Sequence, residues 1–346
     1  MTIIYFILVL GITVFIHELG HFIFAKKAGI YVYEFSIGMG PKILSKKRKN
    51  DETVYSIRLF PIGGFVRMAG EEIEIDENIP KEKRMQSKTW IERFLTIIAG
   101  VVFNFILAII LLITVALING APSNKPYIGK LHKEYPIYET GIKIGDEITH
   151  LNGKKVLSTD MLLLDLQVNN KKEAIFTIKN ENGESRDIKV EGIKEETEAG
   201  FIYRYGFNLE SKIEKGIIPS IKYGFVKTKD LLNQMMHIIA YLFTGKLGIS
   251  SLAGPVGIYN IVGETAKTGF VNILFLISYL CINVGFINLL PIPAFDGGRI
   301  LFMIIEKIRG KALKAKTENM IHGVFLFILF GFMIFVTIFD VMRLFK

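Results

Sequence analysis

Four stretches of this sequence, near residues 2–25, 94–118, 270–290 and 324–341, are long and apolar enough to cross a lipid bilayer. About 20 mostly apolar residues carry a helix across ~30 Å of hydrocarbon. No water inside a bilayer can satisfy an open backbone, so such stretches are expected to span as helices. Half of all residues are hydrophobic, and they are gathered into these blocks rather than spread as in a soluble core. The first stretch has no basic leader and no small-residue cleavage site, which favours a retained helix over a secretory signal. The single cysteine, Cys281, lies inside the third stretch, so no intrachain disulfide is available.

Between the first two blocks, residues 31–70 carry short strand-like patches such as 54–59, with glycines at 38, 40, 63, 64 and 70. Short strands with glycine turns are the natural reading. Its apolar residues, among them Phe35, Ile37, Phe60 and Phe65, suit a β segment at the membrane edge. A charged segment, 71–93, follows. Residues 122–216 are polar and strand-rich, with a hairpin signal at 180–183, and read as a soluble insert. Residues 217–269 read as an amphipathic juxtamembrane region. Its apolar face (Leu231, Met235, Ile238, Ile239, Leu242) suits a membrane surface, or equally a helix packed on the insert. The expected order is therefore a first span at 1–26, a second at 94–118, the insert, a third span at 270–298 and a fourth at 323–342. The fold class is a polytopic α-helical membrane protein with about four spans, a membrane-associated β segment and a soluble α+β domain.

The net charge of +9 does not point to nucleic acid, because the basic residues flank the apolar blocks. Lys26, Lys27 and 46–49 follow the first block, Lys88 and Arg93 precede the second, and Arg299, Lys307, Arg309, Lys311, Lys314 and Lys316 separate the third and fourth. By the positive-inside rule these loops are cytoplasmic, which puts both termini and the insert outside.

Within the first block stands His17-Glu18-Leu19-Gly20-His21. Residues four apart on a helix lie nearly one above the other, so both imidazoles can hold one metal ion, with Glu18 placed to act as a base. Three ionisable residues within five positions of a span are costly and mark function. The competing reading is a structural or proton-relay cluster. A catalytic zinc takes three protein ligands. The candidate for the third is Asp296, after Pro291 and Pro293 and before Gly297-Gly298, where the third span must open. Counted from the outside, His17, His21 and Asp296 fall at a similar, cytoplasm-proximal depth. Taken alone, Asp296 could equally cap a helix starting at Gly297.

The HELGH at 17–21 and the N-x-x-P-x-P-x-x-D-G-G at 288–298 resemble the two signature motifs of the site-2 protease family, M50, in its RseP-like bacterial branch. Weaker resemblances run through 34–38, 61–66, 90–104 and 254–258, and the insert resembles a PDZ domain through 141–148 and 151–153. Phe295 replaces the family's usual leucine, Val101 replaces a proline, and the insert has room for one PDZ domain rather than a tandem pair.

The resemblance implies an intramembrane zinc metalloprotease of a bacterial inner membrane, with the PDZ-like domain outside and the zinc site toward the cytoplasm. The implied ligands to Zn2+ are His17, His21 and Asp296, with Glu18 as the catalytic base. The implied substrates are single-pass membrane proteins already trimmed by another protease, such as anti-sigma factors or signal-peptide remnants. The resemblance also implies that Asn288 contacts the substrate backbone, although a helix–helix hydrogen bond fits that residue equally well. The β segment, with Gly63 and Gly64, can take an extended substrate by strand addition. Two other functions remain open on the sequence: a metal-ion transporter, which calls for further intramembrane acidic residues, and an inactive scaffold presenting the PDZ-like domain.

Overall fold

The computed structural model describes residues 1–71, 78–197, 200–311 and 315–344, without the side chains of 61, 62, 169, 197, 200, 315, 316 and 344. Parts of the charged segment (72–77) and of the basic run after the third span (312–314) lie outside the described residues. Eight α-helices occur among the described residues: α1 (Thr2–Lys27), α2 (Trp90–Asn119), α3 (Thr159–Asn169), α4 (Ile217–Phe243), α5 (Pro255–Lys267), α6 (Phe270–Leu289), α7 (Asp296–Arg309) and α8 (Ala315–Leu344). By length and composition α1, α2, α6 and the 317–343 part of α8 can cross a membrane. This is the architecture of a multi-pass membrane protein. The chain divides into two compact units, Met1–Leu111 with Ala253–Leu344, and Leu112–Leu252.

The first unit holds two long strands, β1 (Val32–Lys47) and β2 (Val54–Met68). Both bend, so each is used twice. Segment 34–37 lies between 64–67 on one side and 54–57 on the other, and 54–57 pairs onward with 44–47. Gly38, Gly40 and Gly63, all at positive φ, lie at the bends, where a side chain would be strained. Phe35, Val66 and Met68 of this sheet pack with Ala25 of α1, Ile97 of α2 and Met303 of α7 in one buried cluster.

The third span is shorter than the expected 270–298. Helix α6 stops at Leu289, and α7 begins at Asp296. Pro291 has no N–H to continue the ladder and drives Leu290 to extended backbone, at φ −62° and ψ 141°. The glycines after Asp296 let α7 start tucked against this break. A Cβ on Gly297 would stand 2.3 Å from the carbonyl oxygens of Leu289 and Leu290, and one on Gly298 2.3 Å from that of Ile292.

In the second unit, β3 (Tyr127–Leu131), β4 (Glu147–Leu151), β5 (Glu173–Lys179), β6 (Ser185–Glu191) and β7 (Phe207–Glu210) form an antiparallel sheet in the order β7-β3-β4-β5-β6. Alternate residues of these strands, including Ile128, Ile148, Phe176 and Ile178, bury a core with Leu162 of α3. Ser158 caps α3 by accepting the Met161 N–H at 3.1 Å. Helix α4 is fixed to α3 by the Lys227–Asp160 ion pair and the Tyr241–Asp165 hydrogen bond. Leu231 and Met235, for which the sequence left both a membrane surface and packing on the insert open, are buried. The opposite stripe, Ile218, Ile221, Phe225, Met236 and Phe243, is exposed.

Candidate metal centre and active site

His17 and His21 stack one turn apart on α1 and are both buried. Their Nε2 atoms lie 3.2 Å apart. Asp296, the first residue of α7, brings its Oδ2 to 3.2 Å from one Nε2 and 3.3 Å from the other. Three donor atoms thus form a nearly equilateral triangle. Tetrahedral zinc with bonds of ~2.0–2.1 Å has ligand–ligand edges of about 3.3 Å. Asp296 Oδ2 is buried without a hydrogen-bond partner despite its closeness to both rings. Two imidazole nitrogens and a carboxylate oxygen that converge at this spacing fit a cation between them. The donor set, two imidazoles and one carboxylate, is that of a hydrolytic zinc site with an open position.

Neighbouring groups set the imidazole tautomers. The Nδ1–H of His21 donates to the Thr96 carbonyl at 2.9 Å, which leaves its Nε2 lone pair for a metal. His17 has Asn104 of α2 beside it, with the amide 3.5 Å from Nδ1. Asn104 is fully buried, and its Oδ1 lacks a partner. The amide oxygen and nitrogen share one outline. Turned over, the amide offers Oδ1 to the His17 Nδ1–H, which gives that oxygen a partner. Asn104→Leu should therefore lower zinc affinity by about 10–100-fold, as losses of outer-shell partners do. Chelator competition on the purified protein reads this out, and unchanged affinity would refute the role.

Close packing of α1 on α2 supports the pair. A Cβ on Gly20 would lie 2.4 Å from the Ala99 carbonyl oxygen, and one on Gly100 2.4 Å from His21 Nε2 and 2.8 Å from His17 Cε1. Small residues let membrane helices meet at backbone distance. Here they also leave room for the rings.

A cavity of about 340 Å3 adjoins the triangle. Glu18 lines it with His17, His21 and Asp296, and so do Asn288 from α6 and Phe65, Val66 and Met68 from β2. Gly64 packs beside Glu18: a Cβ there would stand 3.5 Å from Glu18 Cγ and 2.8 Å from the Ser36 carbonyl oxygen. Gly63 is not among the residues lining the cavity and serves the bend. The structure thus gathers His17, Glu18, His21, Asn288 and Asp296 around one space, with Gly64 at its margin.

Sequence reading missed Asn104, Gly100, Glu71 and the part played by Arg299, which also lines this cavity. It also missed Asp340, an acidic residue buried in α8. Asp340 Oδ2 accepts the Gly257 N–H at 2.8 Å in the first turn of α5. Arg343 stands 3.6 Å from its other oxygen. A carboxylate held by a helix N-terminus and an arginine is an anchor between helices, and gives no support to an ion path.

A family model for peptidase family M50 matches residues 5–332. The regulator of sigma-W protease RasP of Bacillus subtilis is 35% identical, with 99% of each chain covered. The zinc metalloprotease RasP of Geobacillus kaustophilus is 31% identical, covering 99% of this chain and 98% of its own. The putative zinc metalloprotease CPE1693 of Clostridium perfringens is 34% identical, with the same coverage.

Proposed function

The chain belongs to peptidase family M50, a site-2 type zinc metalloprotease of regulated intramembrane proteolysis, and from that premise we propose how its residues divide the work. His17, His21 and Asp296 are the zinc ligands, and Glu18 is the general base. The observation that carries this reading is the triangle of donor atoms drawn from two distant helices and bordered by a cavity that Glu18 lines.

Zinc in this position supplies Lewis acidity and lowers the pKa of water toward ~7. Glu18 takes the proton of the attacking water and returns it to the leaving amine nitrogen, so one carboxylate serves as base and then acid. A helical substrate hides its carbonyls and must be extended before attack. Among the described residues, segment 64–67 is the outer strand of its sheet, paired on one side with 34–37, and Phe65 and Val66 line the cavity. An unfolded stretch of substrate can add to its open side, with Gly64 keeping the strand close to Glu18. Gly63 contributes through the bend that sets this edge. Asn288 donates from the cavity wall to a substrate carbonyl.

The sheet and α3 of the second unit support the PDZ-like reading of 122–216 given by its sequence. Its role is substrate choice or access rather than chemistry. The flanking basic residues put it outside and the zinc site toward the cytoplasmic side of a bacterial inner membrane. The substrates are single-pass membrane proteins shortened beforehand by another protease. The sigma-W role named for the Bacillus subtilis relative makes an anti-sigma factor the first to test.

The test is purified protein in lipid vesicles with a tagged single-pass substrate. Cleavage is expected inside or beside the span, to stop on chelation, and to return as zinc approaches one ion per chain. Cleavage that survives complete metal removal would sink the proposal.

A further inference from the structure

A second cavity, of about 580 Å3, meets the first at a shared wall: Glu71, Ile97, Ala294 and Arg299 line both. Its further lining includes Arg93, Glu318 and His322. The two arginines differ in what they hold. Arg93 grips Glu306 with both terminal nitrogens, at 3.0 and 2.9 Å, so its fork is filled. Arg299, one turn after Asp296 on α7, meets Glu71 through a single nitrogen among the described residues. A guanidinium has five N–H donors, so among the described residues most of that fork stays open. Arg299 is also the only lysine or arginine among the described residues that line the zinc-site cavity.

Amide hydrolysis breaks the carbonyl carbon–nitrogen bond. The water oxygen joins the carbon, the protons go to the amine, and the N-terminal fragment ends in a new carboxylate. That anion forms in a space already lined by Glu18, Glu71 and Asp296. Once it leaves the metal site, it needs a cation to go to. We propose that Arg299 is that cation: it receives the product carboxylate by exchanging it for Glu71, and so passes the N-terminal product from the first cavity to the second. No proton moves in the exchange, because arginine stays charged throughout. The inference rests on the protease reading above and adds to it a product-binding residue and a route of release.

The ion pair makes the test sharp, because its two ends should behave oppositely. The probe is a peptide ending at the mapped cleavage site of the substrate used above, made once with a free carboxylate and once as the amide. Binding is measured to Glu18→Gln protein, which cannot turn over, both with zinc and after chelation. The carboxylate form should bind about tenfold or more tighter than the amide, as a charge-assisted pair would give. Part of that preference should survive zinc removal. Arg299→Gln should abolish the surviving part, and Arg299→Lys should keep some of it. Glu71→Gln should increase it, since Arg299 is then no longer neutralised.

A merely structural ion pair predicts that both ends lose binding together, and that result would overturn the proposal. Equal binding of acid and amide by chelated protein would overturn it too, while cleavage by the wild type would leave the protease reading standing. If Arg299→Gln fails to fold, the sign of the Glu71→Gln effect still decides.

Discussion

Glu18→Gln protein is expected to keep its zinc and its substrate and to lose cleavage by a factor of ~10²–10⁴. Glutamine preserves the shape of the side chain and removes the proton acceptor. Glu18 lines the cavity but contributes no atom to the donor triangle, so the metal should not feel the change. The loss corresponds to ~2.7–5.5 kcal/mol of barrier, which is the scale of general acid–base catalysis and well above a packing disturbance at one position. Metal content and turnover measured on one preparation separate the possibilities. Cleavage near wild type would mean another group is the base. Zinc lost together with activity would mean that Glu18 supports the metal instead.

Asp296→Ala should weaken zinc binding by more than the 10–100-fold expected of an outer-shell loss such as Asn104→Leu. Asp296 is the only member of the triangle from outside α1, and without it two imidazoles remain, too few for a catalytic site. The variant should still fold, because the pairing of α1 with α2 does not use this carboxylate. Zinc retained at one per chain after mild chelation would remove Asp296 from the ligand set. A collapse in helical content or melting temperature would show that metal and fold are coupled here.

The candidate metal site was legible where its chemistry is local. His17 and His21 are one helical turn apart, and that spacing can be seen in five letters. Asp296 was legible because two prolines and two glycines announce a break in an apolar run. Asn104 and Gly100 were not, since their roles exist only where α2 crosses α1 and a lone asparagine in a span carries no spacing signal. Arg299 read as a topology marker because its charge suits a cytoplasmic flank; its meeting with Glu71, 228 residues away in sequence, is tertiary. The end of α6 at Leu289 follows from Pro291 and agrees with the apolar stretch that ends near 290, whereas the wider span of 270–298 ran past the break. The double use of β1 and β2 depends on positive-φ bends that a glycine permits but does not require. In α4 the sequence offers apolar residues around much of the helix, and burial alone shows that Leu231 and Met235 are the inward side.

The backbone contact at Gly20 and Gly100 bears on what becomes of the protein when zinc is scarce. Small zinc domains owe their shape to the ion and come apart without it. In this protein the two imidazoles are seated by close packing of α1 on α2 at Gly20 and Gly100, contacts in which the ion takes no part. A bacterium starved of zinc would then hold a folded, dormant pool of the enzyme, with little for quality-control proteases to recognise. Restored supply would switch that pool on at the pace of metal uptake rather than of new synthesis. The melting comparison of Asp296→Ala with wild type decides whether such a reserve exists.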